Sequence, residues 1–238
     1  MYHIMIVEDD DKIASILQTT LEKYDYKVTR AMNFKALHEE LEAANPDLIM
    51  LDIHLPAYDG FYWCRQFRKF TNAPILFISA RTGEMDQVMA IENGGDDYIT
   101  KPFHLDVLLA KVKGMLRRSY GEYASTGNNN GEELIVHGLK LHRSKNTLEW
   151  QDKSVDLTKN EALLTACLME RIDNIVSRET LLETLWDDVD FVDDNTLTVN
   201  VTRVRKKMEE IGISKAIETI RGQGYRLQSI WSQVEASR

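Results

Sequence analysis

Short apolar runs alternate with amphipathic stretches along the first half of the chain. The runs at Ile4 to Val7, Leu48 to Leu51, Ile75 to Ile78 and Tyr98 to Thr100 predict strands, and a weaker strand begins at Val28. Ile13, Ile16, Leu17 and Leu21 recur at helical spacing within Asp10 to Tyr24, and Leu37 and Leu41 share a face within Phe34 to Ala44. Asn45-Pro46 stops that second helix. Further helices are predicted over Asp59 to Lys69, Met85 to Asn93 and Leu105 to Arg118. Five strand–helix units with nearly continuous apolar strands imply an α/β domain, its parallel sheet covered on both faces.

The second half has another rhythm. Leu134 to Leu157 reads as several short antiparallel strands, with Ile135, Leu139, Leu141 and Leu148 as their apolar positions. Three helices follow, over Lys159 to Glu170, Arg178 to Trp186 and Thr196 to Ile211. Thr158 and Glu161 have capping-box spacing, and Ser177 stands where the next helix starts. Ile217 to Leu227 reads as a β-hairpin broken at Gly222-Gln223-Gly224. Between the halves, residues 119–133 are rich in Gly, Asn and Ser with little to bury, which predicts a flexible linker. The expected organisation is therefore a domain over 1–118, the linker 119–133 and a second domain over 134–238, each of ordinary size.

Composition narrows the function. Of 238 residues, 43% are apolar and 28% charged, which supports packed cores rather than a disordered chain. A formal charge of −9 excludes a uniformly basic nucleic-acid coat but not a local basic patch. No apolar run is long enough to span a bilayer, and Met1-Tyr2-His3-Ile4 lacks the basic start of a secretory signal. Cys64 and Cys167 are too few and too far apart for a disulfide framework or a zinc ribbon. The expectation is a cytoplasmic protein without membrane attachment.

The ionisable residues of the first domain sit at strand ends. Glu8 and Asp9 follow the first strand, Asp52 closes the third, Ser79 the fourth and Lys101 the fifth. In the doubly wound order 2-1-3-4-5 the ligand crevice opens between the first and third strands, so Glu8, Asp9 and Asp52 should converge there. Three carboxylates in one crevice repel one another unless a cation intervenes, and hard oxygen ligands suit Mg²⁺. An aspartate beside Mg²⁺ and a lysine is equipped to accept a phosphoryl group, with Ser79 as a hydrogen-bond donor to it. Asp10 and Asp11 read instead as helix N-terminal acids.

Ile6-Val7-Glu8-Asp9, Leu51 to Pro56 with Asp59-Gly60, Ser79-Ala80 and Gly95 to Phe103 together resemble a bacterial receiver domain over 1–118. The resemblance implies a flavodoxin-like (βα)5 fold with Asp52 as phosphoacceptor. Glu8, Asp9, Asp52 and the His54 backbone carbonyl would hold Mg²⁺, and Lys101 would pair with the phosphoryl group. Ser79 and Tyr98 would form the switch pair, Tyr98 turning inward as Ser79 moves onto the phosphoryl group. It also implies a homodimer through the fourth helix, fifth strand and fifth helix, with Asp97–Lys111 and Asp96–Arg118 matching charge pairs used across that interface. Gln87 and Val107 stand where another such pair is missing.

Between Asn195 and Lys207 there are four positive and no negative charges, on an otherwise acidic domain. A basic helix of this kind points to an anionic partner met at one face. Thr198, Asn200 and Thr202 offer short polar groups for bases or phosphates, and Val199, Arg203 and Lys206 follow helical spacing as a groove-facing stripe. Asp194 to Lys207 and Thr219 to Arg226 resemble the winged-helix effector domain of the OmpR/PhoB family, over about 134–228. The resemblance implies an α+β winged helix with its recognition helix at 195–211. Thr198, Asn200, Thr202, Arg203, Arg205 and Lys206 would face DNA, with Arg221 and Tyr225 contributing from the wing. The acidic loop Asp187 to Asp193 would be where RNA polymerase is touched. Phe61 to Arg65 and Met85 to Met89 are similar to BceR/GraR-type regulators of cell-envelope stress and antimicrobial-peptide responses.

Taken together, the resemblance implies a two-component response regulator and not an enzyme: a sensor histidine kinase phosphorylates Asp52, the protein dimerises, and it binds promoter DNA. A Mg²⁺-dependent phosphatase would need a second acid beyond Asp52, and Ile53-His54-Leu55 offers none. The most realistic rival is a DNA binder indifferent to phosphorylation whose receiver only dimerises; its site would normally have decayed, whereas Glu8, Asp9, Asp52, Ser79 and Lys101 are all present. A pure interaction adaptor leaves the basic helix without a role.

Overall fold

Every residue of β1 (His3–Val7), β3 (Leu48–Asp52) and β4 (Ile75–Ser79) is buried. With β2 (Lys27–Arg30) and β5 (Asp97–Thr100) they form a five-stranded parallel sheet in the order β2-β1-β3-β4-β5. The two-residue period of a strand sends alternate side chains to opposite faces. Ile4, Ile6, Leu48, Met50, Leu76 and Ile78 pack against α1 (Asp11–Glu22) and α5 (Leu105–Tyr120). Met5, Val7, Ile49, Leu51, Ile75 and Phe77 pack on the other side, against α2 (Leu37–Ala44), α3 (Gly60–Phe67) and α4 (Glu84–Glu92). The computed structural model describes residues 1–81, 83–120, 133–185 and 194–231, and its chain divides into two compact units, Met1–Tyr123 and Ala124–Arg238.

Local chemistry sets the helix ends. Asp10 caps α1, its carboxylate accepting from the Lys12 and Ile13 amides, and Asp59 caps α3 through the Tyr62 amide. The second helix begins at Leu37, three residues later than its pattern predicts. Glu40 reaches back to the Met32 and Asn33 amides and holds the preceding residues in a turn. The fifth helix runs two residues beyond Arg118, into the segment expected to be linker. The Tyr120 ring packs against Tyr2, and its hydroxyl donates to the Asp47 carbonyl. Residues 121–132 of that segment lie outside the described residues, and its last residue, Glu133, already opens the next strand.

The second unit opens with an antiparallel sheet of β6 (Glu133–Val136), β7 (Leu139–His142), β8 (Thr147–Trp150) and β9 (Lys153–Asp156). Next comes α6 (Lys159–Met169), started by the capping box of Thr158 and Glu161. A short strand that the pattern did not announce, β10 (Ile175–Ser177), precedes α7 (Arg178–Leu185) and α8 (Asp194–Glu210). β11 (Ile217–Ile220) and β12 (Gly224–Leu227) complete a three-stranded sheet in the order β10-β12-β11. A Cβ on Gly224 would lie 2.0 Å from the Val176 carbonyl oxygen, so only glycine lets β12 lie against β10 here. Leu197, Val201, Val204 and Met208 seat α8 on the unit's core. Among the described residues no helix is long and apolar enough to cross a membrane.

Gly60 ties this fold to the crevice at the sheet's carboxyl edge. Its amide donates to the Ile53 carbonyl at 2.9 Å, and a Cβ there would stand 2.2 Å from the Asp52 carbonyl oxygen. Gly60→Ala should therefore displace the turn after β3 and lower stability by about 2 kcal/mol. A urea midpoint equal to that of the wild type would show that the turn has slack.

Candidate acidic pocket and nucleic-acid interface

The carboxyl ends of β1 and β3 bring three carboxylates together. Glu8, Asp9 and Asp52 each present an oxygen, all within 4.8 Å of one another. Glu8 and Asp52 are buried, whereas Asp9 is exposed. Lys101 reaches over from the end of β5, its Nζ 2.6 Å from Glu8 Oε2 and 2.7 Å from Asp52 Oδ2. The His54 amide donates to Asp52 Oδ1 at 3.1 Å and fixes the carboxylate from the other side.

These contacts set the charges. Burial pushes the Glu8 carboxyl up to about 7; the bond from Lys101 opposes this, and the neighbouring Asp52 charge reinforces it. Burial works against the Lys101 ammonium too, but its bonds to Asp52 and Glu8 outweigh that and hold it above the ordinary lysine range. One ammonium does not balance three carboxylates. The donor set is all hard oxygen and one ligand is open to solvent, which fits a divalent cation such as Mg²⁺.

Ser79 and Tyr98 lie beside this pocket. Ser79 is fully buried at the end of β4, where its Oγ accepts from the Arg81 amide at 3.2 Å. Tyr98 is turned inward: its ring belongs to the core layer of Phe77 and Ala90, and its hydroxyl donates to the Arg81 carbonyl at 2.8 Å. Burial raises the Tyr98 hydroxyl above the usual tyrosine range, opposed by a hydrogen bond with Ser79.

The residues expected at a dimer interface make bonds within their own chain. Lys111 Nζ lies 2.9 and 3.0 Å from the two oxygens of Asp97. Asp96 is buried at the start of β5, where it holds Arg68 Nη2 at 2.6 Å and accepts from the Ile75 amide. Its carboxylate thus anchors α3 to the sheet, a task invisible in the one-dimensional pattern. Arg118 is half-buried on α5.

On α8 the structure redraws the face expected to meet DNA. Thr198, Lys206 and, on the wing, Arg221 are exposed. Thr202 is half-buried, its hydroxyl donating to the Thr198 carbonyl. Asn200 is not on that face: it is 1% exposed and its amide donates to the Thr196 carbonyl. Arg203 is half-buried, its Nε 2.8 Å from Glu161, a fully buried carboxylate on α6. Val199 is buried as well, so Val199, Arg203 and Lys206 are not one exposed stripe. Arg205 turns onto β11, donating to the Ile217 carbonyl and to Thr219 Oγ1. Tyr225 is buried, its ring flanked by the guanidiniums of Arg178 and Arg205 at 5.6 and 5.9 Å. The expected acidic loop 187–193 lies outside the described residues.

Sequence reasoning missed Arg178. From the start of α7 it donates to Tyr225 OH at 2.8 Å and to the exposed Thr198 Oγ1 at 3.3 Å. It therefore brings a positive charge to the rim where α7, α8 and the wing meet. Its signal was the single cation in the run Arg178-Glu179-Thr180-Leu181-Leu182-Glu183.

Comparison with known proteins covers both units. The response regulator receiver domain matches residues 4–113, and the C-terminal domain of transcriptional regulatory proteins matches 152–227. The transcriptional regulatory protein YvcP of Bacillus subtilis is 53% identical over 228 residues, 96% of each chain. The response regulator protein GraR of Staphylococcus epidermidis is 44% identical over 222 residues, 93% of this chain and 97% of GraR. Among solved structures, a mutant form of RitR aligns with a TM-score of 0.77 over 96% of this chain and 99% of its own, at 21% identity, a likeness of fold.

The two kinds of basic residue on α8 should separate in experiment. Arg203→Met leaves the Glu161 carboxylate buried without its partner and should cost about 3–5 kcal/mol of stability in urea unfolding. Lys206→Ala should leave stability within about 0.5 kcal/mol and weaken DNA binding evenly across sequences. Equal stability losses in the two variants would contradict this division.

Proposed function

The chain belongs to the OmpR/PhoB-type response regulators, which join a receiver domain to a transcriptional regulatory C-terminal domain, and from that premise we propose that its acidic pocket is a phosphoacceptor site controlling DNA binding. The observation that carries the proposal is the Lys101 ammonium shared by Glu8 and Asp52, with Asp9 beside them.

In this reading a sensor histidine kinase, or a small acyl phosphate, supplies the phosphoryl group. An Asp52 carboxylate oxygen attacks phosphorus as the bond to the donor breaks, and the donor leaves with the electron pair. Lys101 stays within reach of the incoming oxygens, a fixed positive charge at the position where negative charge accumulates. Glu8, Asp9, Asp52 and the His54 carbonyl would hold Mg²⁺, which when bound supplies further charge neutralisation. The Ser79 hydroxyl donates to the phosphoryl group, and Tyr98 occupies the inward position beside it.

The output is a population shift. Phosphoryl-Asp52 favours the inward Tyr98 state, and that state favours a homodimer through α4, β5 and α5. The dimer sets two copies of α8 on neighbouring half-sites of promoter DNA, with Thr198, Thr202 and Lys206 facing the groove, Arg178 on the adjoining backbone and Arg221 on the wing. Asp97–Lys111 would add to the interface as a pair already held within each protomer. RNA polymerase is the partner we assign to the loop 187–193. Resistance to antimicrobial peptides is the output we assign to the target genes. Phe61-Tyr62-Trp63-Cys64-Arg65 and the similarity to GraR support that assignment.

Intact mass after incubation with acetyl phosphate and Mg²⁺ tests the pocket. One phosphoryl adduct is expected on the wild type and none on Asp52→Ala. An adduct on both proteins would move the acceptor elsewhere.

A further inference from the structure

Four hydrogen bonds converge on Arg81, two residues beyond Ser79. Its amide donates to Ser79 Oγ at 3.2 Å, and its carbonyl accepts from the Tyr98 hydroxyl at 2.8 Å. The side chain reaches two other elements. Nε donates to His54 Nε2 at 3.3 Å, in the loop after Asp52. Nη1 meets Asp86 Oδ1 at 3.0 Å, in the first turn of α4.

That end of α4 is lightly held. Gly83 stands at its N-cap with no side chain to bond, and the helix's buried residues, Ala90 and Ile91, lie near its other end. Met85 in the first turn is 72% exposed. The Arg81–Asp86 pair ties this turn back to the body of the unit. A guanidinium is planar with its donors at fixed angles, so seating it on His54 and Asp86 at once fixes the start of α4 relative to the loop after β3. The peptide bearing that guanidinium is bonded to Ser79 on one side and to Tyr98 on the other. A shift of Ser79 toward a group on Asp52 therefore acts directly on Arg81.

We propose that Arg81 is a positioning residue that transmits the state of the Asp52 pocket to α4, by joining His54, the Ser79–Tyr98 pair and Asp86 into one mechanical group. This coupling rests on the reading of Asp52 as phosphoacceptor and adds the route by which that site moves the helix expected at the dimer interface. The pair is partly exposed, so its removal should change local equilibria by about two- to fivefold rather than unfold the domain.

The test is amide hydrogen exchange at Glu84–Glu92 in the full chain, with and without acetyl phosphate and Mg²⁺, and with intact mass taken on the same samples. The proteins are the wild type, Arg81→Ala, Arg81→Lys, Asp86→Asn and the double variant of Arg81→Ala with Asp86→Asn. All should take up one phosphoryl group. Arg81→Ala should speed α4 exchange about two- to fivefold and flatten the response of α4 to phosphorylation. Asp86→Asn should do the same, the double variant should be no worse than either, and Arg81→Lys, which keeps the charge on Asp86 but loses the bond to His54, should recover only part of the response. The coupling is overturned if α4 does not respond to phosphorylation in the wild type, if the response keeps its full size in Arg81→Ala, or if the two single effects add. Failure of the wild type to take up phosphoryl overturns the reading of Asp52 instead. In that event, equal α4 exchange in Arg81→Ala and wild type also removes the tie itself.

Discussion

Three carboxylates at the edge of one sheet are an electrostatic liability, and the ammonium of Lys101 is what makes the arrangement tolerable. It bridges Glu8, just after β1, and Asp52, the last residue of β3, from its own place at the end of β5. The order β2-β1-β3-β4-β5 is what brings these three strand ends within reach of one another. The charge balance stays incomplete, and Glu8, pushed toward neutrality by burial, registers the remaining strain. A site so poised gains from an added cation and from an added anionic group beside the lysine, which is what the proposed phosphoacceptor role calls for. Ser79, Arg81 and Tyr98 form a continuous hydrogen-bonded path from this edge toward the surface of α4 and β5.

A second buried charge pair organises the other unit. Glu161 caps α6 and simultaneously holds Arg203 of α8, so one carboxylate fixes a helix start and the rotation of a neighbouring helix. Leu197, Val201, Val204 and Met208 then fill the core, and the face left outside carries Thr198, Thr202 and Lys206. Tyr225, between Arg178 and Arg205, joins that face to the wing. The positive charge of α8 is thus divided between Arg203 and Arg205, which hold the domain together, and Lys206, which is exposed.

The strand runs and the acidic cluster were legible in the sequence because each is a local pattern. Continuous apolar runs mark strands buried on both faces, and the clustered acids stand at or just after their ends. The late start of α2 escaped notice because it depends on Glu40 turning back on the chain, and the extra residues of α5 because they depend on Tyr120 meeting Asp47. Of the residues expected to face DNA, Thr198, Thr202, Lys206 and Arg221 keep exposed surface, whereas Asn200 and Val199 are buried. The spacing of Val199, Arg203 and Lys206 is helical, but so is that of Leu197, Val201, Val204 and Met208, and only the second set is all apolar. Arg203 and Asn200 looked available since their partners, Glu161 and the Thr196 carbonyl, become neighbours only after folding. Asp96 and Arg68, far apart in the sequence, escaped for the same reason.

The central claim is that chemistry at Asp52 changes what α8 does on DNA. The most direct test is the affinity of the full chain for its promoter DNA at fixed ionic strength, with and without beryllofluoride and Mg²⁺ as a stand-in for the phosphoryl group. The account predicts binding tightened about tenfold or more, a coupling of the usual allosteric size, together with a shift to dimers. Affinity and oligomeric state that both stay unchanged would contradict it.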